Sequence, residues 1–257
     1  MNLIQSIIIA IIEGLTEFLP VSSTGHMILA SAAMKIGESE FVKTFEIAIQ
    51  IGAILAILLM YLPNFMHGIK IYVRLAVAFV PTAIVGILAY DFIKQVLFNP
   101  YVVAFSLIAG GVVLVLIDRH VARKPSRVKD LESLPVKNAF YIGLIQCLSM
   151  IPGVSRAAAT IIGGIFNRFD KKQATEFSFL LAVPTMLAAS GYDLLKTPII
   201  FSRYEITLLL VGLAFAFVSA WFAVRIFLKI VSRYGFVHFG YYRIILGVIF
   251  LLILPEL

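Results

Sequence analysis

Cysteine is nearly absent: Cys147 stands alone, so an internal disulfide is excluded. Charge is almost as scarce. Only 14% of the 257 residues are Asp, Glu, Lys or Arg, against 61% hydrophobic residues and a mean hydropathy of +1.02. That balance excludes a water-soluble domain and predicts an integral membrane protein. Acidic residues are the rarer sign, 14 against 21 basic ones, for a net charge of +7. In a membrane protein such an excess reports cytoplasmic loops, so no nucleic-acid partner is expected. The N-terminal apolar stretch lacks the basic flank and small-residue cleavage site of a signal peptide and is read as part of the mature chain.

What the chain has in abundance is apolar sequence. Six runs, near 44–62, 72–90, 101–118, 176–195, 205–228 and 239–255, approach or reach the length of a membrane-crossing helix. Two polar runs interrupt the rest. One extends from Glu13 to His26, the other from Gln146 to Thr160, each between apolar stretches too short to span a bilayer. A charge in such a place costs roughly 3 kcal/mol on insertion scales, which marks both runs as functional.

The chain reads as a duplication. Ile11-Ile-Glu-Gly-Leu-Thr-Glu-Phe-Leu-Pro20 aligns with Leu144-Ile-Gln-Cys-Leu-Ser-Met-Ile-Pro152 across one gap. The segment from Phe45 matches that from Glu176 in pattern, again at an offset of about 130 residues. The expected fold is an all-α membrane protein with an inverted-topology repeat. Each half is a re-entrant broken helical hairpin followed by three transmembrane helices. Three crossings per half is an odd number, so the second half is upside down and the two broken hairpins meet near the midplane. The halves are 1–118 and 138–257, joined by a cytoplasmic loop at 119–137.

Basic residues set the orientation. Fifteen fall on one side, from Lys70 and Arg74 through the 119–137 stretch to Arg243. Only Lys35, Lys43, Lys94, Lys196 and Arg203 fall on the other, and Arg156 belongs to a buried run. The basic side is assigned to the cytoplasm and both termini to the outside.

The polar runs suggest a chemistry. Glu13 and Glu17 are four apart and share a helix face. Two carboxylates in an apolar setting repel unless a cation lies between them, and a hard divalent ion, Mg²⁺ or Ca²⁺, suits their oxygens. Ser22, Ser23 and Thr24 follow Pro20 and open the next helix, an N-cap arrangement whose hydroxyls and free N–H groups suit a phosphate. In the second run Pro152 and Gly153 make a turn, Ser155 is a candidate cap, and Arg156 offers a planar fork to phosphate oxygens. Thr160 lies one turn further on the same face. His26 is either a general acid–base or a hydrogen-bonded structural residue. Glu46 and Glu176 either favour helix N-termini or line the site. His67, His120 and His238 fall near cytoplasmic ends and receive no role. Carboxylates alone would repel a phosphate beside Arg156, so the phosphate and metal sites imply one another.

Glu13-Gly-Leu-Thr-Glu17-Phe-Leu-Pro-Val-Ser-Ser-Thr-Gly-His26, together with Pro152-Gly-Val-Ser-Arg156, closely resembles the bacterial undecaprenyl-diphosphate phosphatase family, also known for bacitracin resistance. The likeness extends to Phe45–Gly52 and Thr175–Ala182 and covers essentially the whole chain. One departure is Ala157, where the family usually has a second serine.

The resemblance implies hydrolysis of undecaprenyl diphosphate to the monophosphate and inorganic phosphate, recycling the lipid carrier of cell-wall precursors. It implies a bacterial inner (plasma) membrane location, dependence on a divalent cation, and a site open to the periplasm or exterior. It places catalytic roles on Glu13, Glu17, Ser23, His26 and Arg156. Ser22, Thr24, Gly153, Ser155 and Thr160 are the expected substrate contacts, and Glu13 and Glu17 the metal ligands. Either Ser23 or a metal-bound water attacks the terminal phosphorus. The expected partners are the polyprenyl diphosphate lipid and the membrane, and a homodimer is compatible with them.

A transporter or flippase using the same residues to bind a lipid phosphate is the alternative reading. The phosphatidate-phosphatase mechanism is excluded. It needs a histidine soon after its Ser-Arg motif, and here the next one after Arg156 is His238.

Overall fold

The computed structural model describes residues 1–66, 68–92, 100–120, 128, 130–196 and 201–253. Lys94, Arg123, Lys124, Arg127 and Lys129, used above for orientation, lie outside the described residues, as does His67. Among the described residues ten helices of eleven or more residues carry the fold: α1 Leu3–Thr16, α2 Ser23–Ala33, α3 Glu40–Met60, α4 Ile69–Leu88, α5 Pro100–His120, α6 Val136–Gln146, α7 Arg156–Phe166, α8 Lys171–Lys196, α9 Arg203–Tyr234 and α10 Val237–Ile253. No strand occurs among the described residues.

Local chemistry explains several boundaries. The Asn2 and Gln5 side chains form a capping box that starts α1, and Ser202 and Glu205 form another at α9. Pro20 and Pro152, each lacking an amide hydrogen, stand in the turns that follow α1 and α6. Among the described residues five helices, α3, α4, α5, α8 and α9, are long and apolar enough to cross a membrane. The sixth apolar run forms α10, with 17 residues in helix. At 1.5 Å per residue the 11-residue helices α2, α6 and α7 reach only about 16 Å, roughly half the hydrocarbon thickness.

Packing relates the first five helices to the last five. Helix α1 lies along α9, and α6 lies along α4; α3 packs on α9, and α8 on α4; α3 meets α8, and α5 meets α10. Exchanging the two sets of five turns each of these pairings into another or into itself. Two of the larger contacts break the pattern: the one between α7 and α8 has no equal between α2 and α3, and the one between α1 and α3 has none between α6 and α8. In lipid, helices associate through close backbone approach rather than through exclusion of water. Gly14 shows this: a Cβ there would overlap the Ala216 carbonyl and the Ser219 hydroxyl of α9.

Contacts between helix ends define two poles. At one, Lys171 at the start of α8 pairs with Asp118 near the end of α5 at 2.6 Å, and Arg119 bonds Tyr241. At the other, Tyr90 after α4 donates to Asp193 near the end of α8 at 2.5 Å. The cytoplasmic-flank assignment of Arg243 is corrected. The residue is fully buried at the centre of the molecule, because backbone carbonyls rather than solvent satisfy its guanidinium.

Candidate active site

Two chain turns, 17–22 after α1 and 147–155 after α6, meet in the interior, and each hands over to a short helix. Ser22 caps α2, its Oγ accepting from Gly25 N–H at 3.4 Å; Ser155 caps α7, its Oγ accepting from Ala158 N–H at 3.2 Å. Both serines are held at positive φ, +71° and +74°. A side chain bearing a Cβ resists that region, at a cost of roughly 1–2 kcal/mol, and such strain concentrates at functional sites. The first amides of α2 and α7, with no carbonyl a turn before them, present two positive helix ends to one place.

That place is a cavity of about 550 Å³. Glu17, Ser22, Ser23, Thr24, Gly153, Ser155 and Arg156 line it, and so do Tyr90, Tyr192 and Asp193 at the second pole. Between them the wall mixes apolar groups, among them Ile47, Phe79, Ala83 and Ile87, with Gln50, Thr82, Thr185 and Ser190. Gly153 belongs there by necessity: its φ is +92°, and a Cβ would collide with the Val103 carbonyl and Ser106 of α5.

Three of the lining side chains interlock. Ser23 Oγ donates to Glu17 Oε2 at 2.6 Å, and Arg156 Nη2 donates to Glu17 Oε1 at 2.9 Å. The Arg156–Glu17 pair is mostly buried, with side chains 10% and 8% exposed, so solvent screens it little. Arg156 Nη1 donates to the Ser178 carbonyl at 3.1 Å, and the guanidinium lies 5.5 Å from the Phe18 ring centroid. Its Nε–H is buried and has no partner among the described residues.

The remaining predicted residues fall into three situations. Glu13 is one turn before Glu17 and wholly buried, and neither carboxylate oxygen has a hydrogen-bond partner among the described residues. Thr160 stands behind the cavity rather than in its wall. Its Oγ1 bonds the Arg156 carbonyl at 2.9 Å and lies 2.6 Å from Ser178 Oγ, so it supports the arginine's support. His26 is not brought to the cavity wall either. Its Nδ1 is 2.8 Å from the Ser22 carbonyl and its Nε2 2.6 Å from the Tyr242 hydroxyl. A carbonyl only accepts, so Nδ1 carries the proton and Nε2 accepts from Tyr242. Glu46 accepts from Ser31, and Glu176 lies 3.9 Å from Lys172; neither lines the cavity.

Comparison with known proteins now adds a family. The profile of the "Bacitracin resistance protein BacA" family matches residues 6–249. The chain belongs to the BacA family. Among BacA relatives, the undecaprenyl-diphosphatase of Persephonella marina is 50% identical over 252 residues, 98% of this chain and 99% of the relative. Those of Bdellovibrio bacteriovorus and Wolinella succinogenes are each 49% identical, covering 99% and 98% of this chain and 97% and 98% of theirs.

Sequence reasoning missed three residues that the structure ties to this candidate site: Ser178, Tyr242 and Arg243. A signal existed for two of them. Ser178 lies inside the Thr175–Ala182 segment that carries the family likeness, and Arg243 falls within the last apolar run rather than beside it. Nothing local distinguishes Tyr242 from its neighbour Tyr241.

Proposed function

We propose that this protein hydrolyses undecaprenyl diphosphate to undecaprenyl phosphate and inorganic phosphate. The observation that carries the reading is the Ser23–Glu17–Arg156 chain in the wall of a largely apolar cavity: a hydroxyl bonded to a carboxylate, beside a cation and two helix N-termini. A transporter's binding site needs the cation and the helix ends. It does not need the hydroxyl held against a carboxylate at 2.6 Å.

The diphosphate enters through the mouth at Tyr90 and Tyr192 while the polyprenyl tail stays in lipid. Arg156 and the first amides of α2 and α7 bind the phosphoryl oxygens, where charge spreads in the transition state. Ser23 Oγ attacks the terminal phosphorus and passes its proton to Glu17. The bond to the bridging oxygen breaks, Glu17 gives its proton to that oxygen, and undecaprenyl phosphate leaves. Water then attacks the phosphoserine, the ionised Glu17 takes one of its protons and passes it to Ser23 Oγ as the Oγ–P bond breaks, and phosphate and free Ser23 are regenerated. His26 holds the Ser22 carbonyl and thereby positions the neighbouring nucleophile.

The residues fit a divalent cation. Glu13 offers two buried oxygens without partners one turn from Glu17, and Mg²⁺ typically takes one or two carboxylates and completes its shell with water and phosphate. Glu13 and Glu17 would hold it, and it would neutralise phosphate charge and make the phosphorus more electrophilic.

The same proposal includes an inverted repeat, with halves 1–118 and 138–257 and two re-entrant hairpins, α1–α2 and α6–α7. The exchange pattern of helix pairings and the short reach of the hairpin helices support it. The cavity mouth is at the pole of Lys196, the lysine-poor pole, which assigns it to the outer face of the bacterial inner membrane.

The test is phosphate release from undecaprenyl diphosphate by purified protein. Release should need Mg²⁺ or Ca²⁺, stop with EDTA, and fall by about 10²–10³ in Arg156→Ala, the usual cost of losing one transition-state donor. It should vanish in Ser23→Ala, and a phosphoserine should be trapped on Ser23 of the wild type. Full activity in Ser23→Ala would exclude the serine, and no release from folded wild type would exclude the phosphatase.

A further inference from the structure

Arg243 of α10 is the largest fully buried side chain that none of these steps uses. Its guanidinium donates to five backbone carbonyls on three segments: Pro20 at 3.0 Å, Gly153 at 2.8 Å and Val154 at 2.9 Å in the two turns, and Ser106 at 3.2 Å and Leu107 at 3.4 Å in α5. No carboxylate pairs with it among the described residues. A buried cation held only by carbonyl dipoles is an unusual choice for packing alone, since an apolar side chain would fill the same space without the desolvation cost.

The acceptors are placed with a purpose. Pro20 is two residues before the cap Ser22; Gly153 and Val154 immediately precede the cap Ser155. One rigid fork thus holds the chain just upstream of both strained caps, and so sets the relative position of Ser23, which follows the first cap, and Arg156, which follows the second. The α5 helix makes room for it, because a Cβ on Gly110 would overlap the guanidinium. Lysine cannot reproduce this, having three donors at a point rather than five in a plane.

We propose that Arg243 is a positioning residue for phosphoryl transfer: it locks the two turns in register so that the nucleophile and the phosphate clamp face one phosphorus. The inference rests on the phosphatase reading above.

The test compares Arg243→Gln, Arg243→Lys and Gly110→Ala with wild type in detergent, recording phosphate release from undecaprenyl diphosphate and thermal unfolding of each. Misregistered groups lose transition-state contacts more than ground-state ones, so kcat should fall by about 100-fold or more in Arg243→Gln while KM moves by less than about threefold. Arg243→Lys should recover about tenfold of that loss, and Gly110→Ala, which displaces the fork and leaves the charge, should lower kcat with KM little changed. Folded Arg243→Gln with wild-type kcat would overturn the proposal. So would activity lost in step with unfolding in all three variants, which would make Arg243 a packing residue. An inactive wild type would overturn the phosphatase reading and this proposal with it; active wild type beside equally active variants would overturn this proposal alone.

Discussion

At the scale of single residues the proposed mechanism divides labour between groups that would touch the phosphate and groups that hold those groups still. Glu17 is the hub, accepting from Ser23 on one oxygen and from Arg156 on the other. Thr160 and Ser178 hold Arg156 from behind, while His26, itself bonded to Tyr242, holds the Ser22 carbonyl. This separates two roles for His26 by experiment. A general acid–base contributes about 10²–10⁴-fold, and any substitution forfeits it. A group that only donates from Nδ1 to a carbonyl is partly replaced by asparagine, whose amide also donates. His26→Asn should therefore retain activity within about tenfold of wild type and exceed His26→Ala clearly, as phosphate release would report. Equal, severe losses in both would restore the proton-transfer role.

At the scale of elements the unusual feature is a repeated one: turn, strained serine cap, short helix, in each half. The capping bond and the positive φ make opposite demands at Ser155. Alanine loses the cap and keeps the strain, whereas glycine loses the cap and relieves it. Loss of a cap to alanine costs about 1 kcal/mol and to glycine a few tenths. Ser155→Ala should accordingly lower the unfolding midpoint in detergent more than Ser155→Gly does. The reverse order would mean that the backbone at this position is not strained. The residue after the cap is Ser23 in the first of these units and Arg156 in the second. On the proposed duplication and mechanism, one half would supply the attacking group and the other the clamp.

At the scale of the whole molecule, orientation decides which compartment the cavity serves. The cavity residues Tyr90 and Tyr192 share a pole with Lys196, whose ammonium lies over their rings at 4.4 and 4.8 Å. Lys229, about five-sixths of the way along α9, is nearer the pole of Asp118 and Lys171. With Cys147 replaced by alanine, a cysteine at position 196 should react in intact cells with a maleimide that cannot cross membranes. One at 229 should react only after permeabilisation. The opposite pattern would put the cavity mouth in the cytoplasm and reverse the charge-based assignment.

Composition and spacing alone determined the membrane class, the six apolar runs and the two polar runs where the site lies. They did so because burial in lipid makes every charge conspicuous and because capping and turn chemistry are local. The family followed from the same two runs. Only the tertiary structure decided which of those residues meet. Arg156 reaches Glu17 across 139 residues and Arg243 reaches Pro20 across 223. It moved Arg243 from a supposed cytoplasmic flank to the centre, set Thr160 behind the wall, and turned His26 toward Tyr242. The physical reason is common to all three: a hydrogen bond between distant segments depends on how helices pack, and helix packing in a chain this uniformly apolar leaves little trace in the order of its residues.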